Sequence, residues 1–490
     1  MSEAALSVRV SPASRISEDW LAVVIGLGVF ALALLSLTGL DALGWVATTS
    51  VWAEPSAALA PVSKAYASLN GGVSLLLTYL ALLAALSAGA ALLGEDVKRF
   101  ALAFTAVFAI AYACWFIGGW ARLAAVTPAE QAKFGLSWSL KLTSEGGFIV
   151  ALVAGLAIGN FFPGFAERLK SAIRPELYIK VAIVILGAFI AVTAAGKLGL
   201  ASSLLLRGVA AIIEAYLIYW PVVYLIARKG FGFSREWSAP LASGISICCV
   251  AAAIATGGAI RARPQIPVLV SSLVVVFAVV EVLILPTLAQ AFLAHEPLVA
   301  AAWMGLAVKT DGAAIAAGGI AQSLIQAKAA ADGINYQPGW MLSVTATVKV
   351  FIDVFIGVWA FILAYIWTKH VNPRPGADKA QLREIWERFP KFILGFIATF
   401  LVALALALGT EVGASGKLGG AIGEANVLRV IFFTLTFFSI GVMSNFRKLW
   451  EDGLGKLAAV YVVSLFGFVI WVGFVISWLF FAGVKPPLAS

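Results

Sequence analysis

Two short stretches place ionisable groups inside apolar runs. MGLAVKTDGAAIAAGGIAQ sets Lys309, Thr310 and Asp311 among glycines and alanines, and TATVKVFIDVF sets Lys349 and Asp353 four residues apart. An ionisable group at a bilayer centre costs roughly 2.5–3.5 kcal/mol on insertion scales, so each needs a partner or a task. Residues four apart share a helix face, which puts Lys349 and Asp353 within pairing reach. Residues two apart do not. Lys309 and Asp311 can both point inward only if the helix breaks there, or if each has its own partner. A carboxyl held away from water binds a proton more readily, so Asp311 or Asp353 could carry a coupling proton. The plainer alternative is that Lys349 and Asp353 only fix two spans to each other. Glu214 and Glu281 are further ionisable groups in apolar runs, for which a structural role is the plainer reading. Lys180 lies close enough to a span end to snorkel.

The elements that must position these groups follow from composition. The chain has 490 residues, 62% hydrophobic and 12% charged, with a mean hydropathy of +0.98. A soluble domain carries roughly 25% charged residues, so the sequence defines an all-α polytopic membrane protein. At ~20 apolar residues per crossing there are about 13 spans. They lie near Trp20–Leu40, Gly72–Leu93, Phe100–Trp120, Gly147–Phe162, Tyr178–Ala195, Leu204–Ala227, 241–264, Pro267–Phe292, Ala300–Leu324, Trp340–Trp367, Phe392–Leu408, Val427–Met443 and Leu457–Phe481. The net charge of +9 reports where basic loops lie and gives no reason to invoke nucleic acid. Cys114, Cys248 and Cys249 all sit in apolar runs and form neither a disulfide framework nor a zinc spacing; Cys248 and Cys249 read as small packing residues. With two histidines, no HExxH, no nucleotide-binding glycine loop and no Ser-His-Asp set, the sequence calls for neither an enzyme nor a metal or organic cofactor. Nothing resembles a repeated pore loop or filter segment. The polar tail 1–19 precedes an apolar run without an obvious cleavage site, which predicts a retained first helix.

Stretch 241–264, LASGISICCVAAAIATGGAIRARP, is the odd one. Gly244, Ser246, Cys248, Cys249, Thr256, Gly257 and Gly258 stand where a lipid-facing helix would carry Leu, Ile and Val. Unwound backbone at membrane depth is tolerated only where it is buried or lines a cavity, and a Gly-interrupted span points to a transporter's binding site. A tightly packed helix with a small-residue interface is the alternative. Spans four to eight (145–292) and nine to thirteen (300–481) make two sets of five, which an odd count inserts in opposite orientations. The fourth members are 241–264 and Val427–Met443. The latter has its own soft centre at Thr434, Thr436, Ser439, Gly441, Ser444 and Asn445, which predicts a second broken helix there. The linker 368–391 carries Lys369, Arg374, Lys379, Arg383, Arg388 and Lys391 and should be cytoplasmic, which puts the N-terminus inside and the C-terminus outside. Within it, QLREIWERF reads as a short amphipathic surface helix. Asn160 reads as a helix-end cap rather than a ligand.

Four strings taken together, GISICCVAAAIATGGAIRARP, LYIKVAIVILGAFI, ERFPKFILGFIATF and FSIGVMSNFRKL, resemble a family of bacterial inner-membrane sulfate exporters over residues 145–460. That family is similar to the sodium/proton antiporter and bile-acid symporter class. The resemblance implies a 5+5 inverted repeat with two crossing broken helices, a panel domain and a mobile core domain working by an elevator-type motion, and a homodimer. The first three spans, 20–125, form an extension beyond the family core. Gly244, Ser246 and Cys248 match the family's Ser-Ile-Cys motif, and Ser439 and Gly441 its Ser-Ile-Gly motif. The chain departs from the pattern at Cys249, where the family has glycine, and at Lys309-Thr310-Asp311, where it tends to read His-Asp-Thr. It keeps Lys349 but continues Val350-Phe351-Ile352 instead of Leu-Thr-Arg.

The expected function is therefore a secondary transporter that exports a small anion, such as sulfate or a related sulfur oxyanion, by alternating access. Half-helix N-termini at the breaks would present N–H groups to the anion. Gly244, Ser246, Cys248, Thr256, Gly257, Thr310, Ser439 and Gly441 would line its site, and Lys309 or Lys349 would supply charge. Asp311, Lys349 and Asp353 would couple transport to a proton or sodium. Two alternatives stay open. One is a monovalent cation/proton antiporter of the same architecture, with Asp311 and Asp353 as ligands and Lys349 as their partner. The other is a non-transporting membrane sensor or scaffold.

Overall fold

The computed structural model describes residues 16–125, 128–140, 146–195, 198–263, 265–371, 386, 389–409, 416–444 and 455–488. The tail up to residue 15, most of the 368–391 linker with its expected amphipathic helix, and Asn445 lie outside the described residues. Three helices come first: α1 (Glu18–Leu35), α2 (Gly71–Leu92) and α3 (Val97–Gly118). Each opens on a polar side chain that accepts a free backbone N–H of the first turn: Ser17 from Trp20, Asn70 from Gly72 and Asp96 from Arg99. A small antiparallel hairpin, β1 (Ala47–Thr49) with β2 (Leu59–Pro61), joins α1 to α2.

The next helices are α4 (Gly146–Phe161), α5 (Pro163–Leu169) and α6 (Pro175–Ala195), with a bend of 116° between the first two. Then come α7 (Ser202–Gly230), α8 (Arg235–Ser246), α9 (Cys249–Ala259), α10 (Gln265–Leu293), α11 (Pro297–Ala307) and α12 (Asp311–Ala331). The last four are α13 (Trp340–Val371), α14 (Phe392–Gly409), α15 (Lys417–Met443) and α16 (Gly455–Phe481). Among the described residues nine helices are long and apolar enough to cross a bilayer, or ten if α4 and α5 count as one span. With α10 and the interrupted pairs α8/α9 and α11/α12, they occupy the thirteen stretches expected from hydropathy. The protein is a multi-pass, helical membrane protein.

The helices pack in two groups. In one, α4, α6, α14 and α15 lie together, with α1 against α6 and α3 against α4. The other holds α8 to α13 and α16. Helix α12 reaches across, its Gly312 facing Thr436 and Ile440 of α15. Small residues set the closest approach. A Cβ on Gly155 or Gly159 of α4 would run into the carbonyls of Phe438 and Val442, and one on Gly441 of α15 into the carbonyl of Leu152.

That crossing corrects one expectation. Span twelve is not broken: α15 runs uninterrupted from Lys417 to Met443. Three hydroxyls turn back onto the helix backbone, Thr434 to the Val430 carbonyl, Thr436 to Phe432 and Ser444 to Ile440, at 2.7–2.9 Å. Hydroxyls satisfied this way are compatible with an intact helix. The glycine serves helix crossing, the small-residue use that the sequence cannot tell apart from a break. The second interruption lies instead in span nine, between α11 and α12.

Two polar residues also find partners beyond their own helix. Asn160 Nδ2 donates to the Leu156 carbonyl and, at 2.9 Å, to the Ser444 carbonyl, so it caps the far end of α15. Lys180 does not snorkel. Its ammonium lies 2.9 Å from Asp19 and 3.6 Å from Glu176. Beside it Arg174 bridges Glu18 at 2.5 Å and Glu95 at 2.7 Å, which ties the N-terminal helices to the start of α6.

Candidate functional site

Both interruptions are short non-helical stretches whose freed polar groups are met by side chains. In span seven the chain leaves the helix at Ile247 (φ −107°, ψ −91°) and Cys248 (φ −141°, ψ 126°). The Ile247 carbonyl is taken up by the Lys349 ammonium at 3.1 Å. In span nine Val308 and Thr310 are extended, with ψ of 126° and 149°. The Thr310 hydroxyl caps α12 by accepting the Ala313 N–H at 3.0 Å, and the Lys309 N–H goes to the Glu281 carboxylate at 3.2 Å. Broken backbone in a membrane protein survives only with such replacement partners.

The two breaks meet. Cys248 Sγ donates to Asp311 Oδ1 at 3.2 Å, and Lys349 Nζ lies 3.8 Å from the same oxygen. The Cys248 sulfur and one oxygen each from Asp311 and Asp353 lie within 4.8 Å of one another. All four side chains are buried, and Asp353 Oδ1 has no hydrogen-bond partner among the described residues. Helices α9 and α12 both begin here, and each helix N-terminus carries about half a positive charge. The ammonium instead faces the C-terminal carbonyl end of α8. Thus each charge sits at the dipole end it complements.

Sequence spacing paired Lys349 with Asp353, but the ammonium lies on Asp311 and Ile247 instead. The cluster therefore holds two carboxylates against one ammonium. A thiol and two carboxylates so close together are a donor set able to hold a cation. The neighbouring ammonium makes a monovalent ion or a proton a better electrostatic fit than a divalent metal.

Lys309 turns away from this cluster. Its ammonium donates to the Leu306 carbonyl and lies 4.3 Å from the centroid of the Tyr219 ring. Glu281 accepts the Lys309 N–H and, at 2.8 Å, the Tyr461 hydroxyl. The break thus gives Lys309 and Asp311 different partners on different sides.

The remaining expected ligands scatter. Thr256 Oγ1 lies 2.7 Å from Ser243 Oγ, which accepts the Trp220 indole N–H at 2.8 Å; Gly257 packs on Pro267. These two serve the packing of α9. Gly244 and Ser246 are buried in the last turn of α8, and the Ser246 hydroxyl has no partner among the described residues. Thr310 borders a small cavity with Gly312, Glu176, Ile179, Thr436 and Ile440. Ser439 is buried with its hydroxyl unpartnered among the described residues, and Gly441 faces α4 rather than the cluster. Sequence reasoning missed the Ile247 carbonyl, Tyr219 and Tyr461. None carries a local signal, because a backbone acceptor and two tyrosines in apolar runs look like ordinary core.

Fold and site together define a multi-pass membrane protein in which two interrupted helices meet at a buried charged cluster. The chain belongs to the family described as Conserved hypothetical protein 698, whose model matches residues 123–460. It is 41% identical over 475 residues to the UPF0324 membrane protein NE0724 of Nitrosomonas europaea, covering 96% of this chain and 97% of that one. It is 30% identical over 380 residues to the UPF0324 membrane protein RB9488 of Rhodopirellula baltica, covering 75% of this chain and 61% of that one. The UPF0324 membrane protein SAG1125 of Streptococcus agalactiae serotype V is 25% identical over 344 residues, 69% of this chain and 91% of that one. No solved structure matches the chain.

Proposed function

We propose that the protein is a secondary transporter of the inner membrane, coupled through a proton or monovalent cation that binds between Asp311 and Asp353. One observation carries this reading: where two broken helices meet, two buried carboxylates lie together with one ammonium beside them among the described residues. Two carboxylates a few ångströms apart do not both stay ionised without a compensating charge. With Lys349 as the ammonium beside them among the described residues, one further positive charge balances the two carboxylates. Cys248 and the unpartnered Asp353 oxygen are available as its ligands, and Lys349 keeps hold of the Ile247 carbonyl when Asp311 is engaged by the ion.

The two helix groups supply the moving parts. An apolar crevice lies between them, lined by Ile190, Phe396 and Phe400 on one side and Leu204, Trp340 and Phe351 on the other. A largely apolar seam suits an elevator-type motion of a core against a panel. An inverted repeat, a cytoplasmic N-terminus and an outside C-terminus belong to the same proposal and rest on loop charge and span order.

Sulfate export is the second reading. It is favoured by the converging N-termini of α9 and α12, with Lys349 near them. The two carboxylates weigh against it, since an oxyanion would add negative charge where positive charge is short. The deciding experiment is flux in proteoliposomes under an imposed pH gradient, with labelled sulfate and labelled sodium or potassium assayed on the same vesicles. Cation flux that follows the gradient and disappears in Asp311→Asn and Asp353→Asn is expected. Saturable sulfate flux without cation flux would overturn the coupling-site assignment and restore the anion reading.

A further inference from the structure

We propose that Glu214 is a second proton carrier, separate from the Asp311–Asp353 pair, with Lys309 as the counter-charge it gains when it ionises. The proposal starts from an unsatisfied group. Glu214 is fully buried on α7, and neither of its carboxylate oxygens has a hydrogen-bond partner among the described residues. It opens a π-type stretch, Glu214–Tyr219, an irregularity that occurs mostly as single turns and frequently at functional sites. A buried carboxylate without a donor or cation is not stable as an anion, so in this arrangement Glu214 holds a proton.

The groups around it explain where its charge would be met. Lys309 and Glu281 each have polar partners of their own: the ammonium has the Leu306 carbonyl and the face of Tyr219, and the Glu281 carboxyl group has Tyr461 and the Lys309 backbone N–H. Glu214 is the odd member. Tyr219 connects it to the ammonium. The ring lies under Lys309, while the hydroxyl and Glu214 Oε1 both border Gly473 of α16, where an added Cβ would come within 2.7 Å and 3.4 Å of them. The hydroxyl itself donates to the Val469 carbonyl at 2.7 Å. Among the described residues the titratable groups acting on Glu214 are Tyr219 on its own helix and Lys309 at the α11–α12 break, with Glu281 on α10 and Tyr461 on α16 beyond Lys309.

The step is simple. The Glu214 carboxyl releases its proton to water on the side then open and becomes a carboxylate. Lys309 leaves the Leu306 carbonyl and turns its ammonium toward the new negative charge. Uptake of a proton reverses both moves. Because Lys309 belongs to the same break that presents Asp311 to the first cluster, its movement couples the two sites. The role in transport rests on the reading given above; the protonation of Glu214 does not.

Infrared difference spectroscopy on the purified full-length protein, titrated from acid to alkaline pH, tests the protonation without needing a substrate. Wild type should show a protonated-carboxyl band that disappears on titration. The band should be absent in Glu214→Gln, shifted in Glu214→Asp and retained in Asp353→Asn. In Lys309→Met it should persist to higher pH, because the counter-charge is gone. Spectra of Glu214→Gln and Glu214→Asp that overlay wild type at every pH would overturn the proposal, and either variant alone suffices if the other does not fold. In vesicles that carry flux, Glu214→Gln should move one charge fewer per turnover. Vesicles that carry no flux would count against the transport reading and leave the infrared result standing.

Discussion

Lys349 has two acceptors of different kinds, a backbone carbonyl released by a helix break and a carboxylate presented by another. Removing its charge strands both. Lys349→Met should therefore lower stability by about 3–5 kcal/mol, the usual consequence of leaving one partner of a buried pair uncompensated. Asp311→Asn removes the anion instead, and the double variant should recover part of the loss, with a coupling of roughly 0.5–3 kcal/mol. Thermal unfolding of the four proteins in one detergent measures this. Strict additivity would mean that the 3.8 Å approach of Lys349 to Asp311 contributes nothing. At this scale the sequence was informative about which residues matter and silent about their partners. Asp311, Lys349 and Asp353 stand out because a charge in an apolar run has to be explained. The pairing depends on a carbonyl 102 residues away, Ile247, and no spacing rule reaches that far.

Among elements, the informative contrast is between a stretch that looks soft and breaks and one that looks soft and does not. Spans seven and twelve both carry glycines and hydroxyls in their centres, yet only the first is interrupted. The difference lies in their neighbours. A break needs outside partners for the freed backbone, and Lys349 supplies one to span seven. Span twelve packs Gly441 directly onto the backbone of α4, where an intact helix gives the closest approach. The true second break, at 308–310, was announced by Lys309 and Asp311 standing two apart, a sharper signal than glycine content. Two substitutions in α15 separate propensity from packing. Gly441→Ala places a methyl group against the Leu152 carbonyl and should destabilise by about 1–3 kcal/mol. Gly423→Ala, in the same helix with open space around the new methyl, should stabilise by roughly 0.5–1 kcal/mol. Melting temperatures that move the same way for both would show that helix propensity, and not the α4–α15 contact, governs this helix.

On the scale of the whole molecule, the first three spans read in sequence as an extension; the family model begins at residue 123, while the relative from Nitrosomonas europaea aligns over 96% of the chain. Their packing is nevertheless close. Gly26 of α1 lies against the Val184 side chain of α6, and Gly118 of α3 meets the backbone of Gly147 at the start of α4. Residues Glu18, Asp19 and Glu95 neutralise Arg174 and Lys180, and Asp19 also accepts the Lys391 N–H at 3.1 Å. A chain starting at Gly146 would expose the faces of α4 and α6 and leave those two cations with Glu176 as the one remaining ion-pair partner among the described residues. Such a truncation should fail to give monodisperse protein in detergent. The milder change, Glu18→Gln with Asp19→Asn, keeps every helix in place. Since Glu18 is 37% exposed and Asp19 25%, each lost pair should cost only about 1 kcal/mol or less, and less again at high salt. A truncated chain that purifies cleanly and melts at the full-length temperature would show the extension to be an independent attachment. Loss of the truncation with a small, salt-sensitive loss in the double variant would instead assign the fastening to apolar packing, with the ion pairs setting register where α1 enters the helix group that holds α6.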